Sequence, residues 1–176
     1  VATNLAAIIA QGGKKVVLVD ADMRRPRVHR QLGLSNRVGL TDLLFSELTP
    51  EKIIHNLKGN TELSVITSGS LPPNPAELLG SKRLRLLITD LEKEMDTVII
   101  DSPPCLVTDA QILASQVDSI ILVAEAGQTH SGEAVAAMEQ LKRADARVVG
   151  VIFNKIPRDS QGYYYGGGYQ YSVYDE

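Results

Sequence analysis

Cysteine and long apolar runs are scarce in this 176-residue chain, and each scarcity excludes a class of protein. The single cysteine, Cys105, excludes an internal disulfide and fits a reducing cytosol. It is better interpreted as a small buried thiol than as a nucleophile paired with a remote histidine. The three histidines lack the spacing of metal ligands. No run of about eighteen apolar residues is present, so the sequence predicts no membrane-spanning helix.

Positive charge is also scarce, because 18 lysine and arginine residues are outnumbered by 21 acidic ones and the net charge is −3. The one dense basic stretch, residues 24–30, is too short to form a nucleic-acid surface, so the sequence predicts no nucleic-acid partner. Hydrophobic residues make up 44% of the chain, which is enough for one globular domain with a sizeable core.

Aromatic residues are few and unevenly placed. Residues 1–157 contain only Phe45 and Phe153, whereas residues 158–176 contain all six tyrosines: Tyr163, Tyr164, Tyr165, Tyr169, Tyr171 and Tyr174. This second segment has four glycines and no Leu, Ile, Phe or Met to anchor it. A packed domain would instead spread its aromatic rings through its core. The pattern predicts a flexible tail of accessible phenols that can accept phosphoryl groups, and a low-complexity peptide without covalent chemistry is the alternative interpretation.

Short apolar runs alternate with amphipathic stretches before the tail. The apolar runs, interpreted as strands, are residues 16–19, 63–66, 98–100, 119–123 and 148–153. The amphipathic stretches, interpreted as helices, are residues 5–11, 41–45, 50–57, 81–94, 108–116 and 130–144, with Ser81 as an N-cap and 69–75 as a turn-rich loop. This alternation predicts an α/β fold, with a doubly wound and mostly parallel sheet flanked by helices.

The order of the elements gives two further expectations. The chain opens on a helical pattern, whereas an open α/β sheet normally starts with a strand that leads into a helix. We therefore expect a strand and a loop upstream of Val1 that this chain lacks. The change in composition near residue 157 divides the chain into a folded domain, 1–157, and the tyrosine-rich tail, 158–176.

Aspartates follow two of the predicted strands. Asp20 and Asp22 end the run 16–19, and Asp101 ends the run 98–100. Ligands of open parallel sheets bind at the carboxyl ends of strands, where carboxylates can hold a hard cation such as Mg²⁺. One carboxylate of the Asp20–Asp22 pair can orient the cation through water while the other accepts a proton. Arg24 contacts a phosphate or pairs with Asp22, and ordinary solvated strand-end aspartates are the alternative to a nucleotide site.

Several motifs together resemble the bacterial tyrosine kinases of capsule and exopolysaccharide synthesis. They are VATNLA, VVLVDADMRRP, SGSLPPNPAELLGSKRLRLLI, VIIDSPP and the tyrosine cluster. The resemblance covers essentially the whole chain, although each motif alone is shared with partition ATPases of the MinD and ParA type. It implies a P-loop NTPase-like fold in which Asp20 and Asp22, with Arg24, form a catalytic, metal-positioning Walker A′ element. It also implies a Walker B aspartate at Asp101 that serves Mg²⁺, and an adenine contact at Asn154, which can equally cap a strand exit.

The resemblance further implies what the protein acts on and with. ATP would phosphorylate the tail tyrosines of a neighbouring subunit in a ring-like homo-oligomer, controlling polysaccharide synthesis and export. The partners would be a membrane-bound activator of the polysaccharide co-polymerase type and a tyrosine phosphatase, with the kinase at the cytoplasmic face of the plasma membrane.

One departure from the family concerns the P-loop. Its lysine and Mg²⁺-binding serine would precede Val1 and are not in this chain. Without them the carboxylates meet the ATP phosphates largely unneutralised, so we expect the parent protein to be active and this chain by itself inactive. A MinD/ParA-type ATPase switch and a non-catalytic scaffold or phosphoacceptor are the alternative functions.

Overall fold

The computed structural model describes residues 1–57, 62–105 and 107–157. The six tyrosines and the predicted domain boundary after residue 157 concern the segment outside those ranges, so the phosphoacceptor sites stay predictions. No helix of the described residues is long and apolar enough to cross a membrane.

Six strands form two sheets in the described residues. The first contains β1 (Val16–Asp20), β2 (Ile54–Asn56), β3 (Leu63–Ile66) and β4 (Thr97–Asp101), in the order β2-β3-β1-β4. Strands β3 and β4 flank β1 and run parallel to it, whereas β2 is an antiparallel edge strand. The second sheet pairs β5 (Ile120–Glu125) in parallel with β6 (Val148–Asn154).

Seven helices accompany these strands in the described residues. They are α1 (Ala2–Gln11), α2 (Val28–Leu32), α3 (Leu40–Phe45), α4 (Pro75–Leu79), α5 (Lys82–Glu94), α6 (Thr108–Ala114) and α7 (Ser131–Arg143). Every residue of β1 is buried, and alternate residues belong to two different cores. Val17 and Val19 pack with the apolar stripe of α5, whereas Val16 and Leu18 pack with α1. Helices therefore cover both faces of a parallel sheet, which confirms the predicted doubly wound α/β class.

The predicted helix over residues 50–57 is wrong. Pro50–Lys52 forms a single 3₁₀ turn, and the chain then enters β2. His55 and Asn56 pair with Val65 and Ser64 of β3, and the Ser64 hydroxyl donates a hydrogen bond of 2.8 Å to the Asn56 side chain. This cross-strand pairing overrides a local pattern that fits a helix.

Helices α2 and α4 were not predicted from the sequence. Helix α2 starts where the Val28 N–H donates to the Asp20 carboxylate across 3.1 Å, and it ends at Gly33 with a left-handed φ of 65°. Helix α4 starts at Pro75, whose fixed φ suits the first turn of a helix. Both helices are five residues long, so neither carries a full period of the apolar pattern that identifies longer helices.

The predicted single sheet is divided between β4 and β5. In the described residues β4 pairs with β1 and β5 pairs with β6, and no ladder joins the two sheets. A cavity of about 960 Å³ lies between them and is lined by all of β4, by most of β5 and by Val1 at the start of α1. In the described part of the chain, one edge of β4 and one edge of β5 are thus unpaired and open toward the same cavity.

Candidate active site

Asp20 and Asp101 lie side by side at the carboxyl ends of β1 and β4. They are the last residues of their strands and are register partners in the parallel ladder. The apolar residues of β1 are buried and those of β4 are half-buried up to this point, where each chain segment leaves the sheet for a turn. The expectation that aspartates from two strand ends meet at one edge of the sheet is confirmed for this pair.

The Asp20 carboxylate is fully buried and is held by backbone donors. Its two oxygens accept hydrogen bonds from the Asp22 N–H at 3.3 Å and from the Val28 N–H at 3.1 Å. Burial raises the pKa of Asp20 from 3.8 to about 6. The charges of Asp101 and Asp22 raise this pKa further, whereas the two backbone hydrogen bonds oppose the shift. Asp20 therefore titrates close to neutral pH.

Asp101 is half-buried and belongs to the same electrostatic cluster. Burial raises its pKa, the amino group of Val1 opposes the rise, and the charge of Asp22 adds to it. Val1, which precedes α1, and Asp101 line the same cavity between β4 and β5. The positive end of a ten-residue helix thus borders the cavity that Asp101 lines.

Asp22 lies in the turn that follows β1. One of its oxygens accepts hydrogen bonds from the Arg24 N–H at 3.1 Å and the Arg25 N–H at 2.9 Å. Its own N–H donates to Asp20, so the two carboxylates are fixed relative to each other by the backbone of one turn. Asp22 is partly exposed, whereas Asp20 is not, and it is therefore the carboxylate of this turn that an incoming hydroxyl group can reach.

The donor set fits a cation that takes few protein ligands. In the described ranges no group of three or more His, Cys, Asp or Glu side chains is close enough together to hold a metal ion by itself. Mg²⁺ commonly binds through one or two carboxylates together with water and substrate phosphates. Asp20 and Asp101 match that requirement, because they are adjacent carboxylates at one edge of the sheet and a cation bound between them would offset their negative charge.

Arg24 binds a partner that the sequence did not indicate. Its Nε and Nη2 donate to the two carboxylate oxygens of Asp109 at 2.6 and 3.0 Å, which forms a bidentate ion pair. Asp109 lies in the first turn of α6 and its side chain is 1% exposed. The guanidinium of Arg24 therefore pairs with Asp109, which lies 85 residues away in the sequence. The interpretation in which this side chain pairs with Asp22 is not what the structure shows.

Asn154 lies at the end of β6, where it is the register partner of Glu125. Its carbonyl accepts a hydrogen bond of 2.9 Å from the Ala126 N–H, and its neighbour Lys155 binds Glu125 with a 2.6 Å contact. Asn154 and Asp101 line the same cavity. The structure thus brings Asn154 to the cavity that adjoins the carboxylate edge, and its adenine contact stays a prediction.

Comparison with known proteins identifies the family. Residues 1–147 match the family model described as an AAA domain. The tyrosine-protein kinase YwqD of Bacillus subtilis (strain 168) is 43% identical over 168 residues, which are 94% of this chain and 70% of that protein. The chain belongs to the bacterial tyrosine-protein kinases.

Solved structures agree with this family. The kinase domain of the Escherichia coli tyrosine kinase ETK superposes with a TM-score of 0.85 at 34% identity, covering 98% of this chain and 66% of that one. In sequence the chain spans 23% of the whole E. coli protein. The cell-division ATPase MinD of Pyrococcus furiosus superposes with a TM-score of 0.70 at 23% identity over 90% of this chain and 69% of that one, which is a likeness of fold. The chain therefore has the fold of a nucleotide-binding domain.

The sequence predicted the carboxylates at the strand ends of this kinase but not the groups that hold them in place. The unpredicted contacts are the Val28 N–H that binds Asp20, the Asp109 carboxylate that binds Arg24, and the start of α1 beside Asp101. Each joins segments that lie apart in the sequence or depends on a short helix. One signal was present for Asp109: an acidic residue in the first turn of a helix that directly follows the Asp101 strand.

Proposed function

We propose that the protein is an ATP-dependent protein-tyrosine autokinase that phosphorylates the C-terminal tyrosines of a neighbouring copy. The observation that carries this proposal is the register pairing of Asp20 with Asp101 at two parallel strand ends, with Asp22 in electrostatic reach of both. Phosphoryl transfer depends on positioning and on offsetting charge, which such a cluster can supply. The proposed acceptors are Tyr163, Tyr164, Tyr165, Tyr169, Tyr171 and Tyr174.

The three carboxylates have different environments and therefore different proposed roles. Asp20 is buried and Asp101 is half-buried, and these two carboxylates at neighbouring strand ends would hold Mg²⁺, directly or through water. A cation held there would supply positive charge that offsets the charge of the ATP phosphates. Asp22 is partly exposed and would orient the tyrosine hydroxyl and accept its proton. The phenol oxygen forms a bond to the γ-phosphorus, the bond from that phosphorus to the bridging oxygen breaks, and ADP leaves with the bond electrons.

The divided sheet supports a second part of the proposal. A strand and a glycine-rich, lysine-containing phosphate-binding loop, which the family resemblance implies ahead of Val1, would occupy the cavity between β4 and β5. Both strand edges are open toward that cavity, and Val1 and Asn154 line it. Calorimetric titration with Mg-ATP tests this part: residues 1–176 alone should bind weakly and the longer protein tightly. Micromolar binding by residues 1–176 alone would contradict it.

The kinase reaction is tested by phosphotyrosine formation in the full-length protein. Asp22→Asn should abolish phosphotyrosine in the tail peptides, measured by mass spectrometry, while circular dichroism shows an intact fold. Asp90→Asn, which removes an exposed carboxylate from α5, is the control and should keep the wild-type rate. Persistent phosphotyrosine in Asp22→Asn would refute the proposed role.

Two other outcomes would identify the alternative functions. ATP hydrolysis with unmodified tyrosines would indicate a nucleotide-dependent switch, which the MinD-like fold permits. Phosphorylation of the tail by a separate tyrosine kinase, with no phosphotyrosine formed when the purified full-length protein is incubated with ATP, would indicate a phosphoacceptor scaffold.

The assembly and location remain proposals that rest on the family resemblance. The kinase would form a ring-like homo-oligomer at the cytoplasmic face of the plasma membrane, with a membrane-bound polysaccharide co-polymerase as activator and a tyrosine phosphatase as antagonist. It would thereby control capsular or exopolysaccharide synthesis and export. Each phosphotyrosine adds about −1.5 to −2 charges, so a phosphorylated tail should leave the acidic site of a neighbour and favour the monomer. Sedimentation of both forms tests this, and equal masses would contradict it.

A further inference from the structure

The ion pair between Arg24 and Asp109 joins two segments that border the carboxylate edge of the sheet. Arg24 belongs to the turn after β1, and Asp109 belongs to the helix α6 that follows β4. Strands β1 and β4 are neighbours, so this single pair spans the two loops that leave the site. The geometry is bidentate, which fixes the orientation of the guanidinium as well as its position.

Backbone hydrogen bonds of the same turn link Arg24 to the carboxylates of Asp22 and Asp20. The Arg24 N–H donates to Asp22, and the Asp22 N–H donates in turn to Asp20. A displacement of Arg24 therefore displaces the donor that holds Asp22. Asp109 is itself anchored in a helix whose buried residues, Ala110, Leu113 and Ala114, pack into the domain.

The Asp109 carboxylate depends on Arg24 for its counter-charge. Its side chain is 1% exposed, and within residues 1–57, 62–105 and 107–157 Arg24 is the side chain that hydrogen-bonds it. If Arg24 moved to a phosphate, a buried carboxylate would lose its counter-charge, which is strongly unfavourable. The Arg24 side chain is 51% exposed, so its cost of burial is small and the pair is favourable where it stands.

We propose that Arg24 and Asp109 form a positioning latch that holds the Asp22 carboxylate in place for the reaction, and that Arg24 does not bind the phosphates of ATP. This inference rests on the proposed kinase function. A latch acts through Asp22, so its loss should lower kcat for phosphotyrosine formation and leave KM for ATP nearly unchanged. A phosphate contact would behave differently, because its loss weakens ATP binding directly.

A double-mutant cycle in the full-length protein separates the two roles. Arg24→Gln and Asp109→Asn should each lower kcat by about tenfold or more, since small misplacements of reacting groups are costly. KM for ATP should stay within about twofold, and the double variant should be no slower than the slower single variant. The matched control is the exposed pair Arg143 and Glu139 on α7, whose variants Arg143→Gln and Glu139→Gln should leave both constants unchanged. A raised KM in Arg24→Gln, with a wild-type rate in Asp109→Asn, would overturn the latch.

Hydrogen–deuterium exchange of the same variants supplies a readout that does not require kinase activity. Both Arg24→Gln and Asp109→Asn should speed exchange at the Arg24 and Arg25 amides, which donate to Asp22, and leave the amides of α5 at the wild-type rate. General destabilisation would instead speed both regions. If the wild-type protein forms no phosphotyrosine, the proposed function fails while this exchange result still decides the latch. Unchanged exchange at Arg24 and Arg25 in both variants would refute it.

Discussion

Replacement of Asp20 by asparagine should change how the stability of the domain depends on pH. The pKa of this buried carboxyl is raised from 3.8 to about 6, so ionisation is less favourable in the folded chain than in the unfolded one. Its contribution to stability is therefore fully present below about pH 4 and is lost as the pH rises through about 6. The shift of about two pKa units corresponds to about 3 kcal/mol, at 1.36 kcal/mol per unit.

The difference in unfolding free energy between Asp20→Asn and the wild type should change with pH rather than stay constant. Asparagine offers one acceptor oxygen where the carboxylate accepts from both Asp22 and Val28, and the lost hydrogen bond costs about 1–3 kcal/mol at every pH. The ionisation cost is absent from the variant at every pH. Between about pH 4 and pH 7.5 the free energy of unfolding of Asp20→Asn should therefore rise by about 3 kcal/mol relative to that of the wild type.

Urea unfolding followed by circular dichroism measures this slope. The buffers should contain a chelator, because a bound cation would stabilise the ionised carboxylates and hide the effect. Asp90→Asn is the control for the loss of one negative charge from an exposed helix face. A difference between Asp20→Asn and wild type that stays constant within about 0.5 kcal/mol from pH 5 to pH 8 would refute the assignment of Asp20 as a carboxyl destabilised by burial.

Three further expectations concern the cation, a close backbone approach and a helix cap. At pH 8 Mg²⁺ should stabilise the wild type by about 1.4 kcal/mol at ten times its Kd, and an equal thermal shift in a variant with Asp20→Asn and Asp101→Asn would contradict the site. Gly39→Ala should cost about 1–3 kcal/mol in urea unfolding because a methyl group there collides with backbone atoms, whereas Gly132→Ala has open space and should gain about 0.4–1 kcal/mol; equal midpoints would refute this. Ser81→Ala should cost about 1 kcal/mol, because the Ser81 hydroxyl accepts from the Leu84 N–H, and an unchanged urea midpoint would argue against the cap.

Local sequence patterns predicted the parts of the fold that local physics decides. The apolar stripe Leu84, Leu87, Ile88 and Leu91 is buried as the helical period requires, and Ser81 caps the same helix. The runs before Asp20 and Asp101 are strands because each consists of apolar, mostly β-branched residues. The aspartates at their ends follow from the same patterns, since a strand stops where its apolar run stops.

Contacts between distant segments could not be predicted in this way. Strand β2 exists because Ile54, His55 and Asn56 find partners on β3, and nothing within residues 50–57 distinguishes that pairing from a helix. The pair of Arg24 with Asp109 spans 85 residues and has no periodicity. Sequence reasoning could place Arg24 near the site, but the choice among a phosphate, Asp22 and another carboxylate depends on how β1 and β4 are arranged in the sheet.

The charges of the site explain why the pairing of Arg24 with Asp109 matters for the proposed binding of ATP. Three aspartates and a triphosphate are all anionic, so ATP can approach them only if positive charge offsets the repulsion. Arg24 lies in the turn after β1, yet its charge already neutralises buried Asp109. The offsetting charge can instead come from a cation held by Asp20 and Asp101, from the start of α1, and from Arg27, which lines the cavity between β4 and β5 together with Asp101. The raised pKa values of Asp20 and Asp101 agree with this need, since burial, and to a lesser degree the neighbouring carboxylates, make ionisation of both groups unfavourable.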